Sequence, residues 1–153
     1  MNSFNRQFFA GNRERLVSLL PNHLIVLTAH HLLQMSADQT FPFRQDSNFW
    51  YLTGLQEPDL VVCIDTKLHK SIIFLPERDS YHTDWDGAFD IDELRTISGI
   101  EIFEPIAKLN DYVAKAKNRK MQIGYLEPLP TLVQPYGCYS NPARSNLAET
   151  LKK

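Results

Sequence analysis

Leu60-Val61-Val62-Cys63-Ile64-Asp65 and Ser71-Ile72-Ile73-Phe74-Leu75, separated by residues 66–70, form the stretch that decides the fold. Both runs are short, apolar and rich in β-branched residues, the composition of buried strands. Five residues between them are too few for a crossover helix, so the two strands are expected to be antiparallel. Phe49-Trp50-Tyr51-Leu52 reads as a third strand just upstream. The turn Gly54-Leu55-Gln56-Glu57-Pro58-Asp59 would link it into an antiparallel meander. Leu24-Ile25-Val26-Leu27 is one more strand, and its lack of alternation fits a sheet covered on both faces.

Around this sheet the pattern turns helical. Phe4, Phe8, Phe9, Leu16, Leu19 and Leu20 recur at helical spacing, with Arg6, Asn12, Arg13, Glu14 and Arg15 on the other side. Gly11 weakens that helix by about 1 kcal/mol relative to alanine, and Pro21-Asn22 ends it. Residues 29–46 show no period and read as a long excursion. Downstream, Asp90 with Glu93 three residues on marks a helix start, and Gly99 marks its end. Glu101-Ile102-Phe103 is a brief strand. Pro105 then opens a helix whose Ile106, Leu109, Val113 and Ala116 share a face. Its basic end, Lys115, Lys117, Arg119 and Lys120, complements the helix dipole and reads as a solvated terminus rather than a binding patch. Residues 121–126 supply a last strand, and residues 127–142, with four prolines, a loop. From Asn146 a helical pattern begins and stops abruptly, as if the chain continued. Helices and strands in this order predict an α/β domain with a mixed sheet.

Composition sets outer bounds. With 153 residues, 43% of them hydrophobic and 22% charged, the chain suits one domain, burying roughly 70% of the surface its unfolded chain exposes. Nine Phe, six Tyr and two Trp provide core material that a disordered chain lacks. No apolar run approaches the ~20 residues of a membrane span. The first residues lack the features of a signal peptide. Sixteen basic against eighteen acidic residues, a net charge of −2, argue against a nucleic-acid partner. Cys63 and Cys138 form no CxxC pattern, and a cytoplasmic location is expected.

No motif announces a self-contained active site: GxSxG, HExxH and a phosphate-cradling glycine loop are all missing. His30 and His31 are adjacent on an extended segment, so their side chains diverge and do not share a metal. His23, His69 and His82 have no ligand-spaced partner. Asp84, Asp86, Asp90 and Asp92 alternate but lack the glycine and terminal glutamate of a calcium loop, and read as a solvated approach to a helix cap. Two clusters stand out. One runs from Asp38 to Gly54, a dense polar segment set against aromatics. The other is Arg78-Asp79 followed by Asp84-Trp85-Asp86-Gly87, where Trp85 either marks a contact surface or covers the domain's own core.

Phe43-Arg44-Gln45-Asp46-Ser47-Asn48-Phe49-Trp50-Tyr51-Leu52-Thr53-Gly54, followed by Glu57-Pro58, resembles the N-terminal domain of the aminopeptidase P family, within the creatinase and prolidase superfamily. Arg13-Glu14-Arg15-Leu16, Ser36-Ala37-Asp38 and Arg78-Asp79…Trp85-Asp86-Gly87 match the same domain in order and spacing. The resemblance implies a six-stranded mixed sheet flanked by helices, with a topology like that of ribonuclease H. It further implies that residues 1–153 are one non-catalytic domain preceding a metal-binding "pita-bread" domain that this chain does not contain. That other half would carry two manganese ions held by two Asp, one His and two Glu, with no catalytic or metal-binding residue here. The parent would remove the N-terminal residue before proline from a peptide, and its N-terminal half would shape the substrate pocket and help build a homo-oligomer. Where the family commonly has an arginine shortly after Trp-x-Gly, this chain has Ala88-Phe89-Asp90.

The resemblance further implies substrate-binding roles for Asp38 and Trp85, with Asp38 reaching a neighbouring subunit's site. Chemistry supports both. A carboxylate suits a substrate α-ammonium group, and an indole face suits the rigid apolar ring of proline. A non-catalytic peptide- or protein-binding module is the alternative. A nuclease is disfavoured, because no carboxylates cluster on adjacent strands.

Overall fold

The computed structural model describes residues 4–78, 87–128 and 140–152. Among them, β1 (His23–Thr28), β4 (Val61–Asp65), β5 (Lys70–Leu75), β6 (Ile102–Pro105) and β7 (Gln122–Tyr125) form one sheet in the order β6-β5-β4-β1-β7. β4 lies at its centre and pairs antiparallel with both neighbours, Val26 opposite Cys63 and Val62 opposite Ile73. β6 joins β5 in parallel and β7 joins β1 in parallel. The expected mixed sheet is therefore present, with five strands among the described residues where the resemblance implies six. β2 (Gln34–Ser36) and β3 (Gln39–Thr40) pair only with each other.

The pleat sorts the apolar runs onto two faces. Leu24, Val26, Val61, Cys63, Ile72 and Phe74 point to one face, where they meet Leu109, Val113 and Ala116 of α4 (Leu109–Asn118) and Leu147 and Leu151 of α5 (Ala143–Lys152). Ile25, Leu27, Val62, Ile64 and Ile73 point to the other. There they pack against α1 (Arg6–Leu19), α2 (Ser47–Thr53) and α3 (Ile91–Ser98). All five residues of β4 are buried, as a strand covered on both faces requires. A single turn of 3-10 helix, Ile106–Lys108, leads into α4.

Most helix limits follow the sequence reading. Asp90 caps α3 by accepting from the backbone N–H groups of Asp92 and Glu93, and Gly99 closes it at φ 67°. Two expectations need correction. Residues 49–52 are not a strand: they form the middle of α2. Its first turn is capped by Asp46 Oδ1, which accepts from Asn48 N at 2.9 Å and Phe49 N at 3.1 Å, and Gly54 ends it at φ 74°. Caps at both ends outweigh the β preference of three consecutive aromatics. The antiparallel trio is thus β1, β4 and β5. The final helix also starts earlier, at Ala143, whose N–H is accepted by the Asn141 side chain at 3.2 Å.

α1 is fastened to the ends of two other helices. Asn12 Nδ2 donates to Tyr51 O at 2.6 Å, and Arg13 donates to Leu52 O at 2.6 Å and to Ser98 O at 2.9 Å. The acceptors are last-turn carbonyls of α2 and α3, the negative ends of both dipoles. Burial pushes the Arg13 guanidinium down to about 10, with Glu14 opposing. Arg119, expected on a solvated helix end, instead donates to Asp65 Oδ2 at 2.6 Å, and Asp65 is fully buried.

Candidate functional site

Between β1 and α2 the chain leaves the domain body as an arm. β2 and β3 pair across the turn at Ala37-Asp38, with a register shift between Gln34 and Ser36, and Phe41 N donates to Leu33 O at 2.9 Å. Ala37 takes the left-handed conformation at φ 47° to close the turn. Every residue of β2 and β3 is exposed, and Met35 and Phe41 are half exposed despite being large and apolar. Asp38 sits at the tip. It is exposed, and its side chain makes no hydrogen bond or ion pair among the described residues.

The base of the arm is tightly bonded. Gln45 is buried, and its Oε1 accepts from His30 N at 3.0 Å and Asp46 N at 2.9 Å. Its Nε2 donates to Leu55 O at 3.2 Å and Glu57 O at 3.0 Å. One side-chain amide therefore satisfies four backbone groups, its full capacity. His30 Nδ1 lies 2.8 Å from Arg44 O. A carbonyl only accepts, so Nδ1 carries the proton there. His30 Nε2 lies 3.5 Å from Asp46 Oδ2.

Asp46 joins these groups to the C-terminal helix. Arg144 of α5 donates to Asp46 Oδ2 from Nε at 3.0 Å and from Nη2 at 2.6 Å. Burial pushes the Asp46 carboxyl up, but the Phe49 N–H, Arg144 and the Asn48 N–H together outweigh it and hold the group below its ordinary 3.8. His31 turns the other way. Its Nδ1 donates to Asp59, its backbone N–H reaches Asn141 Oδ1 at 3.1 Å, and Asn141 Nδ2 returns a bond to His31 O at 2.8 Å. The two histidines thus diverge onto separate partners.

The polar run from residue 43 to 48, set apart in the sequence by its density, is thereby explained as the clamp joining β1, α2 and α5. Sequence reasoning missed Arg144 and Asn141 entirely, because their partners lie about a hundred residues away. Trp85, with His82, Asp84, Asp86 and Cys138, lies outside the described residues. On either side of that stretch, Arg78 donates to Gly87 O at 2.6 Å, stacks 3.6 Å above the Phe89 ring and approaches Glu57 at 3.7 Å. Among the described residues, Asp90 and Asp92 do not converge on a common point with other ligands: one caps α3 and the other pairs with Arg95.

The model of the aminopeptidase P N-terminal domain matches residues 9–123. The chain belongs to that family. Xaa-Pro aminopeptidase 3 from Mus musculus is 27% identical over 95% of this chain and 32% of its own length. The Xaa-Pro aminopeptidase of Haemophilus influenzae is 38% identical over a shorter stretch, 54% of this chain and 20% of its own length. Among solved structures, aminopeptidase P from Escherichia coli in its low-pH form superposes with a TM-score of 0.63 at 28% identity, over 74% of this chain and 27% of that one. A candidate aminopeptidase P from Bacillus anthracis shares the fold over 98% of this chain and 36% of its own, at TM-score 0.77 and 23% identity. The chain thus spans about a third of the length of the mouse relative and of the Bacillus anthracis protein.

Proposed function

We propose that this chain is the N-terminal, substrate-shaping domain of an Xaa-Pro aminopeptidase, and that Asp38 binds the α-ammonium group of a peptide with proline in second position. The observation that carries the reading is the exposed Asp38 carboxylate at the tip of the β2–β3 arm, on a chain of this family. A charge-assisted hydrogen bond of this kind is worth about 1.5–3 kcal/mol. Trp85 supplies an apolar face for the proline ring. Among the described residues no three His, Cys, Asp or Glu side chains come together as a metal ion needs. They do not fit a metal site, so in this proposal the two manganese ions are held by the catalytic half that follows this domain. The exposed Met35 and Phe41 flanking the tip suit contact with a neighbouring subunit in a homo-oligomer of the whole enzyme.

The test uses the full-length peptidase. Asp38→Ala and Trp85→Ala should each lower kcat/KM for short Xaa-Pro peptides about tenfold or more, since 1.4 kcal/mol already means tenfold. Metal content and thermal stability should hardly change. Wild-type rates in both variants, or a loss of several kcal/mol of stability in either, would overturn the assignment. A full-length protein that binds such peptides without cleaving them would favour a non-catalytic binding module instead.

A further inference from the structure

We infer that His30 is a positioning residue for Asp38, acting through the base of the arm; the inference rests on the reading of Asp38 as the amine-binding group. The arm cannot hold itself in place. It is a two-stranded hairpin whose paired residues are all exposed, and such hairpins are marginal in water without a packed face. Its direction is therefore set where it joins the body. There His30, on the outgoing segment, bonds the returning segment twice: its N–H reaches Gln45 Oε1 at 3.0 Å and its Nδ1–H reaches Arg44 O at 2.8 Å. The second is the side-chain bond that ties the outgoing segment directly to the returning backbone.

Leverage makes this bond matter. Extended chain spans at most about 3.3 Å per residue, so the six steps from Arg44 to Asp38 place the tip up to ~20 Å from the base. A rotation of about 5° at the base would then carry the carboxylate nearly ~2 Å, and a misplacement of ~1 Å at a binding group can cost orders of magnitude in rate. Gln45 cannot adjust to compensate. It is buried, and all four of its hydrogen-bonding positions are already taken.

The experiment compares His30→Ala with His30→Asn in the full-length peptidase, each with and without Asp38→Ala. The Asn amide nitrogen can take the place of Nδ1 and donate the same bond. His30→Ala should lower kcat/KM for Xaa-Pro peptides about tenfold, chiefly through KM, and His30→Asn should restore it to within about twofold. In the Asp38→Ala background the His30→Ala loss should largely vanish, because the two act through one carboxylate. In the 153-residue chain, exchange of the Phe41 amide should accelerate in His30→Ala and not in His30→Asn, while the Ala29 amide, bonded to Leu60 O at 2.7 Å, keeps its protection. His30→Gln keeps the bulk but loses the Nδ1 position, and serves if the alanine variant does not fold. Losses from His30 and Asp38 that multiply, or an asparagine that fails to rescue, overturn the inference while leaving Asp38 in its role. Asp38→Ala at wild-type rate overturns the reading of Asp38 itself, and unchanged Phe41 exchange in His30→Ala overturns the claim that His30 holds the arm.

Discussion

Gly54→Ala should be among the most damaging single-methyl changes available in this chain. Gly54 ends α2 at φ 74°, where an L-residue with a Cβ pays roughly 1–2 kcal/mol. A Cβ built there would lie 2.4, 2.6 and 2.8 Å from three atoms of the Phe9 ring, well inside van der Waals contact. The ring has no room to retreat. Phe9 is fully buried and stands edge-on to Trp50 with centroids 5.6 Å apart. Overpacking of this kind costs about 1–3 kcal/mol, so the two effects together cost about 3 kcal/mol, a large share of the ~5–15 kcal/mol that holds a typical domain. For a domain of this size each kcal/mol moves Tm by ~2–4 °C, so a fall of roughly 6–12 °C is expected by calorimetry or circular dichroism. The Phe9→Leu/Gly54→Ala double variant should lose less than the sum of the single losses, because the shortened side chain vacates the clash. A Tm within ~2 °C of wild type for Gly54→Ala, or strict additivity in the double variant, would refute the argument that Phe9 is wedged against the glycine.

Asp46 should govern acid stability. Its carboxyl is held below 3.8 in the folded chain, so its stabilisation is complete above about pH 4 and is lost as pH falls through the lower folded value. The urea midpoint of the wild type should therefore fall more steeply than that of Asp46→Asn between pH 4 and 2, while the variant is weaker at pH 7. Arg13→Met should cost about 3 kcal/mol in chemical denaturation. It strips donors from Leu52 O and Ser98 O at once, and hydrogen bonds from a charged group contribute about 1.5–3 kcal/mol each. Tyr112→Phe should act in the opposite direction. The buried phenol oxygen has no hydrogen-bond partner among the described residues, and burial pushes the group up to about 12. Removing an unsatisfied hydroxyl should leave Tm unchanged or raise it by a few degrees. A clear loss would show that the hydroxyl is paired.

The sheet was legible because its signal is local. Runs such as Val61-Val62-Cys63-Ile64 and Ile72-Ile73-Phe74 carry their burial in their own composition, and the seven residues between them leave only an antiparallel connection. The helix over residues 47–53 was not legible in the same way. Phe49, Trp50 and Tyr51 prefer strands, and what overrides them is a cap two residues upstream of Asn48 together with a left-handed glycine at the far end. Read for period alone, seven residues do not distinguish the two outcomes. Asp46 and Gly54, weighed as start and stop signals, would have done so.

The segment from Phe43 to Asn48 poses the harder problem, since a chain that binds a ligand and a chain that clamps itself use the same side chains. Arg, Gln, Asp and Asn at high density mean many donors and acceptors that must find partners once buried, and the sequence does not say whether those partners are substrate atoms or the protein's own backbone. Burial decides it. Gln45 and Asp46 are almost inaccessible and their bonds go to His30, Leu55, Glu57, the first turn of α2 and Arg144, whereas Asp38, eight residues earlier in a sequence of similar polarity, is exposed with no internal partner among the described residues. The two ends of one polar stretch therefore divide the work. The buried end fixes the geometry and the exposed end is left with unspent hydrogen-bonding capacity; on the proposed role of Asp38, a substitution at Gln45 or Asp46 should register first in stability and one at Asp38 in binding.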